Sequence, residues 1–206
     1  MFISNFNYYL YIDNSESLNL NLIKIRDKFS IIYRNNNKPE NLTSLKLLKK
    51  TCDRKGIKLF VANNVNLLNK LGANGLYLSS YNKKNVHLNK SKYELIGSAH
   101  SIKEIQEKSR QGCKTVILSR LFKTDYKYKK GHLGIIKINL LSCMTRIKLV
   151  SLGGIRTENI TALNMLKSKH IALLTEIKKK PAKIINRLFW ICYILLTRMQ
   201  QQDLFA

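Results

Sequence analysis

Short apolar runs rich in β-branched and aromatic residues alternate along this chain with amphipathic stretches of helical period. The pattern predicts strands over Tyr8–Ile12, Phe29–Arg34, Lys58–Ala62, Gly75–Ser79, Tyr93–Ser98, Thr115–Ser119, Lys148–Leu152 and His170–Thr175. Helices are predicted over Leu18–Lys28, Glu40–Arg54, Val65–Leu71, Leu133–Ser142 and Glu158–Leu166, and from Ser101 through Arg110. The clearest of them carries Leu42, Leu45, Leu48 and Cys52 on one stripe and stops at Gly56. Ser101 with Glu104 three residues on reads as a capping box, and Thr157 reads as the cap of the next-to-last helix. Pro181 sits near the start of a final helix, where its missing N–H costs little.

Eight strands, each followed by a helix or long loop, fit a (β/α)8 TIM barrel in a single α/β domain. A doubly wound open sheet is the alternative. The barrel is assigned to residues 1–190, with an apolar C-terminal tail over 191–206. The apolar run Leu188–Thr197 is about half the roughly 20 residues a membrane span needs, so no transmembrane segment is expected. It is expected to pack on the barrel; a homo-oligomer contact or shallow membrane insertion is the alternative.

Composition narrows the class. Lys and Arg number 37 against 12 Asp and Glu, a net charge of +25, which favours anionic partners. The abundance of Lys, Asn, Ile and Tyr is also what an A/T-rich genome encodes, so the charge alone selects no partner. No aromatic-interleaved RNA-binding segment and no helix-turn-helix pattern appears, which leaves nucleic acid a minor reading. Apolar residues at 45% exclude a disordered chain. Cys52, Cys113, Cys143 and Cys192 show neither metal-knuckle nor C-x-x-C spacing, and the N-terminus lacks a signal-peptide pattern. A reduced, cytoplasmic protein is expected.

In either fold the active site lies at the C-terminal ends of the strands. The polar residues predicted there are Arg34, Asn63, Ser79, Ser98, His100, Ser119, Thr124, Lys127, Gly153, Gly154 and Thr175. Gly153-Gly154 follows the seventh strand, where a barrel of this type holds phosphate on backbone N–H groups. Thr175, ending the eighth strand, offers a hydroxyl to the same anion. Thr124 and Lys127, in the loop after the sixth strand, face it from the other side. His100, just past the fifth strand, is placed to move protons near neutral pH.

These residues resemble the thiamine phosphate synthase/TenI family of (β/α)8 barrels, from about Tyr8 to Phe189. The segments that carry the resemblance are Ser-Ala-His-Ser at 98–101 with Glu104, Phe-x-Thr-x-x-Lys at 122–127, Leu-Gly at 133–134, Gly-Gly-Ile at 153–155 with Asn159, and Leu-Gly-Ala-Asn-Gly at 71–75. The resemblance implies an enzyme of thiamine biosynthesis. It would join a hydroxymethyl-pyrimidine pyrophosphate to a thiazole phosphate, with Mg²⁺ assisting departure of pyrophosphate. It implies pyrophosphate or substrate binding at Arg34, Asn63, Ser98, Thr124 and Lys127. Thiazole phosphate would lie at Gly153, Gly154 and Thr175, and metal at the positions of Asn63 and Asn82.

The sequence departs from that pattern where charge matters most. The family's Gln and Lys flanking the arginine are Ile32 and Asn36 here. Its two metal-binding Asp residues are Asn63 and Asn82, its Gly-Pro after strand six is Ser119-Arg120, and the glycines before strand eight are Lys167 and His170. Codon bias can convert Asp to Asn. Removing both carboxylates nevertheless costs an Mg²⁺ site several kcal/mol of attraction, even at an effective dielectric of ~20. The family's second branch, the TenI-type thiazole tautomerase, needs no Mg²⁺ and moves a proton with a His matched by His100. Three readings follow: the synthase, a tautomerase-like or degenerate phosphate-binding barrel, and a non-enzymatic basic barrel that binds nucleic acid or membrane.

Overall fold

The computed structural model describes residues 6–18, 20, 23, 27–35, 40–89, 91–124 and 131–173. Eight parallel strands pair in sequence order and close on themselves: β1 (Asn7–Ile12), β2 (Phe29–Tyr33), β3 (Lys58–Ala62), β4 (Gly75–Leu78), β5 (Glu94–Ala99), β6 (Thr115–Ser119), β7 (Lys148–Leu152) and β8 (His170–Leu173). Closure is made by β1 beside β8, with Asn7 opposite His170 and Leu10 opposite Leu173. The barrel is therefore the (β/α)8 type the pattern predicts, and the open-sheet alternative falls.

Strand alternation sorts the side chains into two cores. Tyr9 and Tyr11, Ile32, Phe60, Tyr77, Ile96, Ile117, Val150 and Ala172 fill the interior, so every strand contributes. Tyr11 and Tyr77 meet edge to face at 5.6 Å between centroids. The residues between them, such as Leu10, Ile31, Leu59, Leu95, Leu149 and Ile171, face outward and bury the helices. Helix α1 (Leu42–Arg54) supplies Leu45, Leu48 and Cys52 to that outer core, and Asn41 caps it by accepting the Thr43 N–H. Helix α2 (Val65–Leu71) ends in left-handed Gly72. Helix α3 (Ile102–Arg110) buries Ile105 and Lys108. Helix α4 (Gly134–Met144) buries Ile138 and Leu141 while Ile136, Leu140 and Met144 remain exposed.

The predicted helix Glu158–Leu166 is instead two 3₁₀ turns, Thr157–Asn159 and Thr161–Met165, and the cap position is Arg156 rather than Thr157. The bonds run three residues apart, as from the Leu163 N–H to the Ile160 carbonyl. Asn159 explains the departure: its side chain binds both the Arg156 N–H and the Gly154 carbonyl, competing with a helical ladder. The predicted helix Leu18–Lys28 lies largely outside the described residues, although Leu18, Leu20 and Ile23 are buried. The final helix at Pro181 and the apolar tail lie outside them too. Among the described residues no helix is long and apolar enough to cross a membrane.

His170 enters the barrel from its N-terminal end, its ring tilted against Tyr9 at 6.4 Å. Burial first, then the charges of Lys148 and Lys28, lowers its pKa to about 4 from an ordinary 6.5. The unfolded chain binds the extra proton, so this group's contribution to stability is complete above pH 6.5 and is lost as pH falls toward 4. Urea unfolding of the intact protein at a series of pH values is expected to show that loss, and His170→Gln is expected to flatten it.

Candidate active site at the barrel mouth

The C-terminal ends of β2 to β7 assemble one polar rim. Ile32 and Ile96 point into the barrel, so Arg34 and Ser98, two residues further on, occupy the same side at its mouth. Beside Ser98, the ring of His100 places Nδ1 2.8 Å from Ser119 Oγ at the end of β6. The His100 N–H donates to Glu104 Oε2 at 2.8 Å, and the Glu104 N–H donates to Ser101 Oγ at 3.3 Å. The expected capping box is thus shifted: Glu104 reaches past Ser101 and fixes the backbone of His100. Ring and backbone of the histidine are each tethered, and the ring stays exposed to solvent.

Next to Ser119 lies the glycine turn. Leu121 and Phe122 donate their N–H groups to the carbonyls of Leu152 and Gly153, at 2.9 and 3.0 Å, so the loop after β6 is laid on the loop after β7. Gly153 and Gly154 have φ of +101° and +69°. A Cβ on Gly154 would stand 2.5 Å from the Lys123 carbonyl oxygen, and one on Gly153 would stand 3.3 Å from Arg120 Cβ. Only glycines permit this approach and this backbone turn. The Arg120 guanidinium donates to Thr124 Oγ1 at 2.9 Å. The structure therefore brings Ser98, His100, Thr124, Gly153 and Gly154 to one side of the mouth. Lys127 and Thr175 lie outside the described residues.

Across the rim, Asn63 stands just past β3 with φ +54°, a left-handed conformation that Asn tolerates better than most side chains. Its amide explains how that conformation is held. Asn63 Oδ1 accepts the Ser79 N–H at 3.0 Å and Asn82 Nδ2 at 3.0 Å, and Asn63 Nδ2 donates to Ser79 Oγ at 2.7 Å. Asn82 Oδ1 accepts the Lys84 N–H at 3.1 Å. The two asparagines are joined by a direct hydrogen bond.

Comparison with known proteins agrees with the barrel. The thiamine monophosphate synthase family profile matches residues 12–177. This chain belongs to the thiamine monophosphate synthase family. A thiamine-phosphate synthase of Prochlorococcus marinus is 32% identical over 85 residues, which are 41% of this chain and 25% of that protein. The thiamine phosphate pyrophosphorylase of Pyrococcus furiosus superposes with a TM-score of 0.68 at 19% identity, covering 90% of this chain and 98% of its own. A Thermotoga maritima phospho-2-dehydro-3-deoxyheptonate aldolase superposes with a TM-score of 0.61 at 13% identity, over 94% of this chain and 70% of its own. At these identities the superpositions speak for the barrel alone.

The residues at Asn63 and Asn82, where the family resemblance implies Mg²⁺, do not suit that ion. Both lone pairs of Asn63 Oδ1 are occupied by N–H donors, one of them from its would-be fellow ligand. A hard divalent cation also seeks charged oxygen. Among the described residues no group of three His, Cys, Asp or Glu is placed to hold a metal. Ile32, at the family's glutamine position, is fully buried in the barrel interior.

Ser119 is among the polar residues predicted at the mouth but without a role, and Arg120 enters the sequence pattern only as a departure from a Gly-Pro pair. The structure gives both work: Ser119 binds the His100 ring and Arg120 orients Thr124. Their place at the end of a strand was the available signal.

Gly72 supplies a control for the glycine turn, since its φ is +58° and nothing lies within 4 Å of its absent Cβ. Gly154→Ala is expected to cost about 1–3 kcal/mol more than Gly72→Ala in urea unfolding, because overpacking is added to backbone strain.

Proposed function

We propose that this barrel binds a phosphorylated thiazole at the Gly153-Gly154 turn and moves a proton on it through His100, without a divalent metal. The observation that carries the reading is the juxtaposition of the His100–Ser119 pair with the glycine turn on neighbouring strands. The ring nitrogens have separable tasks. With Nδ1–H donating to Ser119 Oγ, the lone pair of Nε2 is left to take a proton from the substrate and return it at a second atom. No atom is gained or lost in such an isomerisation. The phosphate is held by the backbone at Gly153 and Gly154, with the hydroxyl of Thr124 and the cation of Arg120 beside it. Arg34, across the mouth, meets a second anionic group such as a carboxylate. Lys127 and Thr175 remain candidates for the phosphate site. Free thiols at Cys52, Cys113 and Cys143 fit a reducing cytoplasm.

A second reading is favoured by the family match and by Arg34. Two cationic zones, at Arg34 and at Arg120, suit the two phosphorylated substrates of the condensation: pyrimidine pyrophosphate and thiazole phosphate. In that reaction a carbon–nitrogen bond forms as pyrophosphate leaves. The reading requires the pyrophosphate to be neutralised by these side chains instead of Mg²⁺.

The two are separated by offering the purified protein a thiazole carboxylate phosphate alone, then thiazole phosphate with pyrimidine pyrophosphate, each with and without chelator. The first reading expects isomerisation by NMR that is indifferent to chelator. His100→Ala is expected to slow it by about 10²–10⁴-fold with binding retained. Release of pyrophosphate in the second mixture would establish the condensation instead. Inertness in both would overturn both.

A further inference from the structure

Lys108 is the only charged side chain that is buried among the described residues. It lies on α3, three residues after Ile105 on the buried face, and is 0% exposed. Its stem crosses β5 where Gly97 leaves room: a Cβ there would fall 2.8 Å from Lys108 Cγ and 2.9 Å from Cδ. Beyond β5 the ammonium reaches the loop after β4. Nζ donates to the carbonyls of Ser79 at 2.8 Å and Asn82 at 2.6 Å, and to Gln111 Oε1 at 2.9 Å. Three N–H donors meet three oxygens, which is the full capacity of an ammonium. No carboxylate is among them, so the charge is stabilised by carbonyl dipoles. Gln111 extends the clamp, donating through Nε2 to the carbonyls of Asn82 at 3.1 Å and Lys84 at 2.9 Å.

The loop so gripped is the one that delivers Asn82 to Asn63. We propose that Lys108 is a positioning residue: an internal cation that organises the loop after β4 in place of a divalent metal and holds its amide pair closed. Two features support this beyond packing. A buried ammonium is costly where leucine or methionine would fill the same volume, and two of the three oxygens that offset the cost are backbone carbonyls of the loop. Its partners Ser79 and Asn82 are the residues whose other groups, the Ser79 N–H and Asn82 Nδ2, contact Asn63. The inference concerns the same mouth as the proposed function and does not depend on which substrate it takes.

The test uses NMR on the whole labelled protein, with Mg²⁺ alone as the probe. The wild-type ammonium of Lys108 is expected to be shielded enough from water to give its own proton–nitrogen signal. Excess Mg²⁺ is expected to leave the side-chain amide signals of Asn63 and Asn82 unmoved. Lys108→Met is expected to raise hydrogen exchange across residues 79–84 by about tenfold or more while β1 to β3 stay protected, and to move both amide signals toward those of free asparagine. An ammonium in fast exchange with water would overturn the proposal. So would Mg²⁺-induced shifts at the two amides, or a Lys108→Met protein whose loop and amides match wild type. Should that variant fail to fold, the two wild-type measurements decide alone. No readout involves a thiazole, so its failure is distinguishable from failure of the functional reading.

Discussion

Closing eight parallel strands through the β1–β8 pair is the constraint on which the remaining structure depends. Closure removes both sheet edges and satisfies the ladder bonds around the circumference. It also forces alternate residues inward, where tyrosine, phenylalanine and branched aliphatic side chains from β1 to β7, with Ala172 of β8, fill the lumen. The same closure gathers the ends of non-adjacent chain segments into a ring. Asn63, Asn82, His100, Ser119 and Gly153 become neighbours on that ring only because the strands carrying them are neighbours.

On this rim the balance of charge has moved from acid to amide and base. An Mg²⁺ site needs oxygen with negative charge and lone pairs to spare. The amide pair carries no negative charge, and Asn63 Oδ1 already accepts two N–H groups, one of them from Asn82 Nδ2. Beneath the same loop an ammonium is already seated on backbone carbonyls. On the far side of the mouth, the positive-φ glycines, Arg120 and Thr124 form a surface suited to an anion. The His100–Ser119 contact lies beside that surface. In the proposed reading these groups bind a phosphate and move a proton without a metal.

The barrel was legible because its signal is periodic. Strands such as Lys58–Ala62, Thr115–Ser119 and Lys148–Leu152 have the bounds the apolar pattern assigns. The pattern erred where a single side chain overrode it, at Asn159, whose backbone bonds replace a helix by 3₁₀ turns. Site residues were legible in part. Gly153, Gly154 and His100 could be placed by counting to the ends of strands. The pairing of Asn63 with Asn82, Glu104 reaching the backbone of His100, and Ser119 binding its ring depend on distances between segments, which one sequence does not encode locally. Lys108 left a trace, a lysine on the apolar stripe of Ile105, but its partners lie 26 and 29 residues away in the chain. Family resemblance located the mouth and the lost carboxylates; that the two asparagines bond to each other is visible only in the geometry.

The most direct measurement is a crystal structure of the protein soaked with thiazole phosphate and Mn²⁺, with the metal located by its anomalous signal. The account predicts ligand phosphate against the backbone of Gly153 and Gly154 and no manganese between Asn63 and Asn82, whose side chains remain hydrogen-bonded to each other. Manganese bound by both amide oxygens, with that hydrogen bond broken, would contradict it.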